Sequence, residues 1–451
     1  MAKNIIVIGS GAAGMPAASS AKRNDPTAKV TVFTEDEYIS YSPCVIPWVL
    51  EGRIGWKDII MHDAKFYAKE KDITILTKTK VTAVNSEMKT VIANDKTYSY
   101  DSLVIATGGT VFIPPIAGID LKGVFVVRTI NDGKAIESAL KNAKSVAIGG
   151  AGVIGLEVAL ALHNIGKDVT VIEMMDQVIP RIADKDMAEP IQKYLEEKGI
   201  KFIMKAPIQA VNGKENVESI TAAGKEYPCN MVIFATGVRA NLTIPNALGL
   251  DIGQLGAVVV SPSMQPYKKG RLVNDIFLAG DVVQCQSAIA AGPTMSQLGS
   301  TAVKQGMVAG MNATGNKSIS GPVASPWVSV IGDIHIAGTG LSQGLASWYG
   351  IRTIEGKAIG LTRARYYPGG KQLIVKILAD SCSHRMIGAQ IIAGEDATGR
   401  INWLTSEIVN GSTVEDFVTR AENAYCPPTS MVTDVVIQAA NDLYNKFKQV
   451  I

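Results

Sequence analysis

The residue best placed for redox or nucleophilic chemistry is Cys44, in the segment Ser-Tyr-Ser-Pro-Cys-Val-Ile-Pro-Trp at residues 40–48. The apolar residues after it predict a helix, and Pro47 is tolerated only in a first helical turn. A cysteine at a helix N-terminus meets the positive end of the helix dipole, which lowers the pKa of the thiol and favours the nucleophilic thiolate. The alternative is a buried, inert cysteine.

Two glycine-rich loops with the same spacing could hold phosphate groups. Their glycines are Gly9, Gly11 and Gly14 in the first loop and Gly150, Gly152 and Gly155 in the second. Glycines at this spacing let the chain turn tightly and let a pyrophosphate approach backbone N–H groups at a helix N-terminus. One such loop is also compatible with a purely structural turn, but two copies in the same context indicate two dinucleotide sites.

The residue after the strand that follows each loop bears on which nucleotide is bound. Glu173 ends the strand after the second loop, and Met174 and Met175 follow it without an arginine. Such an acid accepts hydrogen bonds from a ribose 2′-hydroxyl and repels a 2′-phosphate, which favours NADH over NADPH. In the first unit Thr34 follows the strand and Glu35 comes next, and Glu35 could also be a solvated surface acid.

Each loop is positioned by the same order of strand, turn, helix and strand. Short continuous apolar runs predict strands that are buried on both faces of a parallel sheet. The predicted elements are strand 5–8, a helix to Arg23 and strand 29–33 in the first unit, and strand 145–148, helix 156–165 and strand 168–172 in the second. The tripeptide Ala-Thr-Gly also ends an apolar run twice, at residues 106–108 and 235–237. These repeats predict two related α/β domains, the second inserted within the first.

The chain changes its pattern from about Pro322. Residues 372–378 and 386–392 alternate in polarity and predict antiparallel strands. Helices are predicted near residues 401–410 and 433–448. This part of the chain is therefore expected to form a third, α+β domain.

The composition is typical of a packed protein with several domains. The chain has 451 residues, of which 47% are hydrophobic and 19% charged, and its net charge of +3 gives no reason to expect nucleic acid or a membrane surface as a partner. No apolar run reaches the roughly 18 residues that a membrane span needs. The five cysteines are scattered and the histidines show no metal spacing, so we expect no metal site and a cytoplasmic chain.

Taken together, these motifs resemble the single-cysteine branch of the pyridine nucleotide–disulfide oxidoreductases, which includes coenzyme A disulfide reductases, NADH oxidases, NADH peroxidases and polysulfide reductases. The resemblance covers essentially the whole chain. Its marks are both glycine loops, Cys44 about thirty residues after the first, both Ala-Thr-Gly turns, and the segments Ala-Gly-Asp at residues 279–281 and Tyr-Cys-Pro-Pro at residues 425–428.

The resemblance implies an α/β fold with two Rossmann-like dinucleotide-binding domains and a C-terminal dimerisation domain. The expected boundaries are 1–115 and 246–320 for the FAD domain, 116–245 for the inserted NAD(P)H domain and 321–451 for an α+β dimerisation domain. The family's dimer is expected to complete each active site with residues of the partner subunit.

Cofactor contacts carry over residue by residue. The resemblance assigns Gly9, Gly11 and Gly14 to the FAD pyrophosphate, Asp281 to the FAD ribitol or phosphate region, and the second loop with Glu173 to NADH. Glu157 is expected near the contact between flavin and nicotinamide, and Glu35 takes the FAD ribose role beside Thr34. The remaining expected cofactor contacts are Ala12, Ala13, Ser42, Pro43, Ala106, Thr107, Gly108, Ile154, Gly237 and Gly280.

The electron acceptor is less well defined by the resemblance. Ala12 and Ala13 stand where the lactic-type oxidases and peroxidases carry a histidine, which favours the coenzyme A disulfide reductase-like group. Arg23 and Ser40 match positions that contact coenzyme A there, so coenzyme A is expected as substrate or bound ligand. An NADH oxidase that produces peroxide or water, a polysulfide or sulfur reductase, and a redox-sensing flavoprotein are the alternatives.

Three C-terminal residues are expected to act at the partner's active site. Tyr366 and Tyr425 match tyrosines that reach it across the family's dimer, although Tyr367 could replace Tyr366 by a shift of one residue. Cys426 stands where the family has an alanine. We hypothesise that Cys426 and the partner's Cys44 form a redox pair, against the alternative of a small buried residue that replaces alanine.

Overall fold

Short apolar runs in the N-terminal part of the chain form strands that are almost entirely buried. The computed structural model describes residues 2–450. The elements of this part are β1 (Asn4–Ile8), α1 (Gly14–Asn24), β2 (Lys29–Phe33), a 3₁₀ turn (Pro43–Val45), α2 (Ile46–Leu50), α3 (Ala64–Lys71), β3 (Ile73–Leu76), β4 (Val81–Asn85), β5 (Thr90–Ala93), β6 (Lys96–Ser99), β7 (Ser102–Ile105) and β8 (Gly109–Val111).

The next part of the chain repeats this order. Its elements are β9 (Val124–Val126), α4 (Ile130–Leu140), β10 (Ser145–Gly149), α5 (Val153–Asn164), β11 (Asp168–Ile172), α6 (Lys185–Glu197), β12 (Lys201–Ile203), β13 (Ile208–Asn212), β14 (Ser219–Ala222), β15 (Lys225–Pro228), β16 (Met231–Phe234) and β17 (Val238–Ala240). The helix predicted at 156–165 begins earlier, at Val153, because Gly152 is its extended N-cap residue.

The chain then returns to the first sheet. Its elements are α7 (Thr243–Leu248), β18 (Tyr267–Lys268), β19 (Arg271–Leu272), β20 (Ile276–Leu278), β21 (Cys285–Gln286), β22 (Pro293–Thr294) and α8 (Gly299–Ala313). The first parallel sheet has the order β20-β7-β1-β2-β3, and the second has the corresponding order β9-β16-β10-β11-β12. Since β20 follows the whole second sheet in sequence, the second α/β unit is inserted in the first, and the predicted fold class is confirmed.

The C-terminal part forms an antiparallel sheet covered by helices. Its elements are β23 (Trp327–Ile331), β24 (Ile334–Gly340), α9 (Gln343–Trp348), β25 (Thr353–Leu361), β26 (Gln372–Asp380), β27 (Met386–Ala393), α10 (Thr398–Val409), α11 (Val414–Arg420) and α12 (Val435–Val450). The sheet order is β23-β24-β27-β26-β25. The sequence prediction missed α11, although a capping box of Thr413 and Asp416 marks its start.

Both faces of this antiparallel sheet are buried. One face packs against α10 and α12 through residues such as Val375 and Ile391. The opposite face contributes Ile336, Ile374 and Ile392 to the same apolar cluster as the core of the second α/β unit. The sheet is thereby fixed against that unit.

Residues 2–450 contain neither a membrane-spanning helix nor a metal-binding cluster. Every helix in this range is too short or too polar to span a bilayer. These residues also contain no group of three His, Cys, Asp or Glu side chains that could hold a metal ion.

Helices α1 and α8 approach closely because α8 carries two glycines on the contact face. A Cβ atom at Gly306 would collide with the carbonyl oxygen of Ala13, and one at Gly310 with that of Ala17. We predict that Gly310→Ala lowers the free energy of unfolding by about 1–3 kcal/mol through overpacking. Denaturant unfolding measures this, with Gly399→Ala of α10, which has open space around its Cβ position, as the matched control. Equal stability of the two variants would contradict the prediction.

Candidate functional site

The carboxyl ends of the parallel strands border one large cavity between the three parts of the chain. Its volume is about 1890 Å³, whereas ligand pockets commonly have about 300–1,000 Å³. The predicted site residues on its wall are Gly9, Gly11, Ala12, Ala13, Arg23, Thr34, Glu35, Ser40, Ser42, Pro43, Cys44, Ala106, Thr107, Gly108, Ile154, Glu157, Gly280 and Asp281. The cavity therefore has room for more than one ligand beside Cys44.

The first glycine loop has the geometry of a phosphate cradle. Gly9 has φ +105°, and a Cβ atom there would collide with the carbonyl oxygen of Ala106. A Cβ atom at Gly14 would collide with the carbonyl oxygen of Gly9, so the outer glycines close the loop onto its own backbone. Gly11 has no atom within 4 Å of its Cβ position, which leaves its backbone open to a ligand. These features fit a dinucleotide pyrophosphate.

The second loop repeats this geometry. Gly150 also has φ +105°, and a Cβ atom there would lie 2.6 Å from the carbonyl oxygen of Ala235. A Cβ atom at Gly155 would collide with the carbonyl oxygen of Gly150, and Gly152 faces open space. The residues of this loop fit a second dinucleotide equally well, although Gly150, Gly152 and Gly155 do not themselves line the large cavity.

The residue that follows the second strand of each unit is tied to its glycine loop. Glu173 is 6% exposed, and its carboxylate accepts hydrogen bonds from the backbone N–H groups of Ala151 and Met175, both at 2.8 Å. In the first unit the Ser10 hydroxyl donates to the Thr34 hydroxyl at 3.0 Å. Glu35 is exposed and forms an ion pair with Lys80 at 3.1 Å.

An arginine that sequence reasoning missed holds Asp281. The Arg128 guanidinium donates a hydrogen bond to Asp281 at 3.0 Å, and both residues line the cavity. Arg128 directly precedes Thr129 and Asp132, which form the capping box at the start of α4. The capping signal was present in the sequence, but the partner of Arg128 lies 153 residues away and could not be read from it.

Cys44 is an exposed thiol on the cavity wall. It lies in the 3₁₀ turn Pro43–Val45, which runs directly into α2 at Ile46, so Cys44 stands at the N-terminal end of this helical segment but in its 3₁₀ turn and not in the α-helix. The turn arises because Ser42 is its N-cap residue, with the Ser42 hydroxyl accepting from the backbone N–H of Cys44 at 3.4 Å. Pro47 lies in the first turn of α2, as predicted.

The other cysteines are less suited to this role. Burial raises the pKa of Cys229 to about 11 and also raises the pKa of Cys285. Cys382 and Cys426 are exposed, but neither lines the cavity. Cys44 is thus the thiol that the fold presents to the cavity.

The helix that follows Cys44 is fixed by packing against α4. Ile46 is fully buried, and Gly133 of α4 leaves the space that the rings of Trp56 and the side chain of Ile46 fill. Ser40 lines the same cavity and has a left-handed backbone with φ +54°, which is uncommon for a serine, and its hydroxyl lies 3.2 Å from the Tyr67 hydroxyl.

Glu157 connects the second α/β unit to the C-terminal sheet at the cavity. It lies on α5, and the Ser329 hydroxyl of β23 donates a hydrogen bond to its carboxylate at 2.5 Å. Burial raises the pKa of Glu157 to about 7, although the hydrogen bond from Ser329 works in the opposite direction. Near neutral pH this carboxyl group can therefore hold or release a proton.

The structure does not bring every predicted residue to this cavity. Besides the three glycines of the second loop, the predicted residues that do not line it are Gly14, Glu173, Gly237, Tyr366, Tyr425 and Cys426. Tyr366 is 75% and Tyr425 41% exposed, and their hydroxyl groups form a hydrogen bond with each other. This hydrogen bond raises the pKa of Tyr425.

Comparisons with known proteins agree with this arrangement. Residues 3–306 match the family described as pyridine nucleotide-disulphide oxidoreductase, and residues 326–435 match its dimerisation domain. An NADH oxidase of Methanocaldococcus jannaschii is 42% identical, with 98% of each chain covered. An NAD(P)H coenzyme A polysulfide/persulfide reductase of Pyrococcus horikoshii is 33% identical, covering 98% of this chain and 99% of the relative. The structure of an NAD-dependent persulfide reductase from A. fulgidus superposes with a TM-score of 0.95 at 32% identity, covering 99% of this chain and 84% of the other.

The pKa of Glu157 predicts how stability depends on pH. Because the folded protein binds this proton more tightly than the unfolded chain does, the free energy of unfolding falls as pH rises from about 4.5 to about 7. Glu157→Gln cannot lose this proton. We therefore expect its free energy of unfolding, relative to that of the wild type, to rise by at most about 3 kcal/mol between pH 4.5 and pH 8. Thermal unfolding at several pH values measures the difference, and Glu189→Gln on the exposed face of α6 is the control. A constant difference across this range would contradict the prediction.

Proposed function

The chain belongs to the pyridine nucleotide-disulphide oxidoreductases, and we propose that it transfers electrons from NADH through bound FAD to Cys44 and on to a sulfur-containing acceptor. The observation that carries this proposal is the position of Cys44. Its thiol lines the same cavity as the first glycine loop and as Glu157 on the helix that begins at the second loop.

Specific residues would hold each cofactor. Gly9, Gly11 and Gly14, with the open backbone at Gly11, would hold the FAD pyrophosphate, and Asp281 with Arg128 would hold the ribitol region. The second loop and Glu173 would hold NADH. When bound, FAD accepts a hydride equivalent from the nicotinamide and makes its two electrons available to the neighbouring sulfur.

Cys44 supplies the chemistry toward the acceptor. As thiolate it attacks one sulfur of a disulfide, so that a bond from Cys44 Sγ to that sulfur forms, the acceptor's S–S bond breaks and one thiolate leaves with a proton from solvent. Two electrons from NADH then reduce the mixed disulfide, which releases the second thiol and restores Cys44. One protein thiol is sufficient because the substrate provides the second sulfur.

Two acceptor classes have specific support. The coenzyme A polysulfide/persulfide reductase of Pyrococcus horikoshii favours a sulfur acceptor, and Arg23 offers a cation to an anionic substrate such as coenzyme A disulfide at the cavity wall. The NADH oxidase of Methanocaldococcus jannaschii favours oxygen. Two electrons from NADH would first reduce oxygen to hydrogen peroxide. The Cys44 thiolate would then attack one peroxide oxygen, which breaks the O–O bond, forms a sulfenic acid and releases hydroxide, protonated to water. Two further electrons from NADH would reduce the sulfenic acid back to the thiol with release of a second water.

We also propose that the chain forms a homodimer and is located in the cytoplasm. The match of residues 326–435 to a dimerisation domain supports a homodimer. In it Tyr366, Tyr425 and Cys426, all exposed in the single chain, would act at the partner's Cys44. The five free cysteines support a cytoplasmic location.

Steady-state NADH oxidation tests the acceptor and the role of Cys44. We expect Cys44→Ser to lose at least about 100-fold in turnover with coenzyme A disulfide or polysulfide while NADH still reduces its flavin in a single turnover. The matched control is Cys382→Ser, which removes another exposed thiol outside the cavity. Oxygen consumed per NADH, measured with and without the sulfur acceptor, separates reductase from oxidase. Full turnover in Cys44→Ser would contradict the proposal.

The proposed pairing of Cys426 with the partner's Cys44 predicts redox-dependent labelling. We expect the Cys426 thiol to react with a maleimide in NADH-reduced enzyme and to be protected after one turnover with a disulfide acceptor. In Cys44→Ser the protection should disappear. Equal labelling of Cys426 in oxidised and reduced wild-type enzyme would reject the pair and leave Cys426 as a replacement for alanine.

A further inference from the structure

A short segment spans the space between the second glycine loop and the C-terminal sheet. We call residues 178–186, a segment after β11 that ends in the first turn of α6, the strap. Val178 and Ile179 are buried in the apolar cluster of the second α/β unit. The backbone N–H of Ile179 donates to the carbonyl oxygen of Ala151, inside the second glycine loop, at 2.8 Å. One end of the strap is therefore attached to the proposed NADH loop itself.

This attachment holds the backbone in a strained conformation. Ile179 has φ +41°, which is a genuine outlier for a β-branched residue. Such conformations persist only where the surroundings determine them, and they are concentrated at ligand sites and switch segments. The strain at Ile179 indicates that the path of the strap is imposed by its two attachments and not by its own preference.

The other end is held by a polar row that crosses the C-terminal sheet. Gln390, Lys376 and Lys357 are direct neighbours on β27, β26 and β25, on the face that meets the second α/β unit. The side chain of Gln390 accepts from the backbone N–H of Asp184 at 2.8 Å. Lys357 forms an ion pair with Asp186 at 2.7 Å.

Lys376 is the centre of this row. It is 1% exposed, and its ammonium group lies 3.1 Å from Asp184, 2.8 Å from Asp186 and 2.7 Å from Glu355. A buried ammonium group is costly unless carboxylates surround it, and a carboxylate left behind without it is costly too. The strap is therefore stable on the sheet only where both of its aspartates, Asp184 and Asp186, pair with the lysines of this row.

Between its attachments the strap presents a cation to the large cavity. Arg181 and Ile182 are exposed and line the cavity together with Ile154 and Glu157 of α5. Within residues 2–450 Arg181 forms no ion pair, and the two aspartates that follow it along the strap, Asp184 and Asp186, are paired with lysines. A guanidinium group held at a dinucleotide site is suited to a phosphate, which it can bind with two parallel hydrogen bonds.

From this geometry we propose that Arg181 binds the pyrophosphate of the nicotinamide dinucleotide, and that Lys357 and Lys376 are positioning residues that hold it there through the strap. The inference rests on the proposed use of NADH. On this proposal the C-terminal sheet is part of the nucleotide site, because Lys357 and Lys376 on that sheet hold the strap that carries Arg181.

The rate of trypsin cleavage measures how firmly the strap is held, because Arg181 is exposed and is followed by Ile182. We expect Lys357→Met to be cut after Arg181 several times faster than the wild type, and NAD⁺ to slow this cut in the flavin-loaded wild-type enzyme. The matched control is Lys198→Met, which removes an ion pair with Asp333 between the same two parts of the chain at the far end of α6. Equal cleavage of Lys357→Met and Lys198→Met would overturn the positioning role.

Kinetics test the role of Arg181. We expect Arg181→Met to raise the KM for NADH about tenfold with kcat little changed, because a charge-assisted hydrogen bond to bound nucleotide is lost. Arg181→Lys should recover part of the loss, and Lys357→Met should raise KM in the same direction by a smaller factor. A KM for Arg181→Met within about twofold of the wild type would overturn the proposal. Failure of the proposed function would appear separately, as wild-type flavin that NADH does not reduce under anaerobic conditions.

Discussion

The close backbone packing that glycine permits is the constraint on which the rest of the site depends. In both α/β units the first and third glycines of the loop bring the chain into contact with the carbonyl oxygens of Ala106 or Ala235 and of the loop itself. Any Cβ atom there would push the strand, the turn and the helix apart. Because this packing fixes where each helix begins, it also fixes the open middle glycine at the carboxyl edge of its sheet, where a pyrophosphate can approach.

The other parts of the chain place reactive and charged side chains at the carboxyl edges of the two parallel sheets. The turn at Cys44 carries a thiol to the first edge, and the packing of Ile46 and Trp56 on Gly133 ties that turn to α4. The C-terminal sheet faces the carboxyl edge of the second parallel sheet, and two rows of side chains cross this face. One row is apolar, with Ile336, Ile392 and Ile374, and the other is polar, with Gln390, Lys376 and Lys357. Glu157 lies where the two α/β edges and this sheet meet.

Local sequence pattern predicted many of the strands and helices, but it did not predict which distant side chains contact each other. Glycine spacing and apolar runs predicted the central strands of both parallel sheets, because each strand depends on a few consecutive residues. The insertion was predicted from the repeat of the same motifs along the chain. The 3₁₀ turn before α2 was not predicted; it forms because the Ser42 hydroxyl caps it and Pro43 occupies its first turn. Arg128, Arg181 and the Lys376 cluster were missed because their roles depend on side chains that lie distant in sequence. The domain boundaries and residue roles carried over by resemblance stay predictions.

We propose that electrons follow one route, from NADH through flavin to the sulfur of Cys44. The most direct measurement is mass spectrometry of flavin-loaded enzyme mixed with coenzyme A disulfide or polysulfide, before and after anaerobic addition of NADH. We expect a sulfur adduct on Cys44 that is removed once NADH has reduced the flavin. An adduct on a different cysteine, or one on Cys44 that persists after NADH has reduced the flavin, would contradict it.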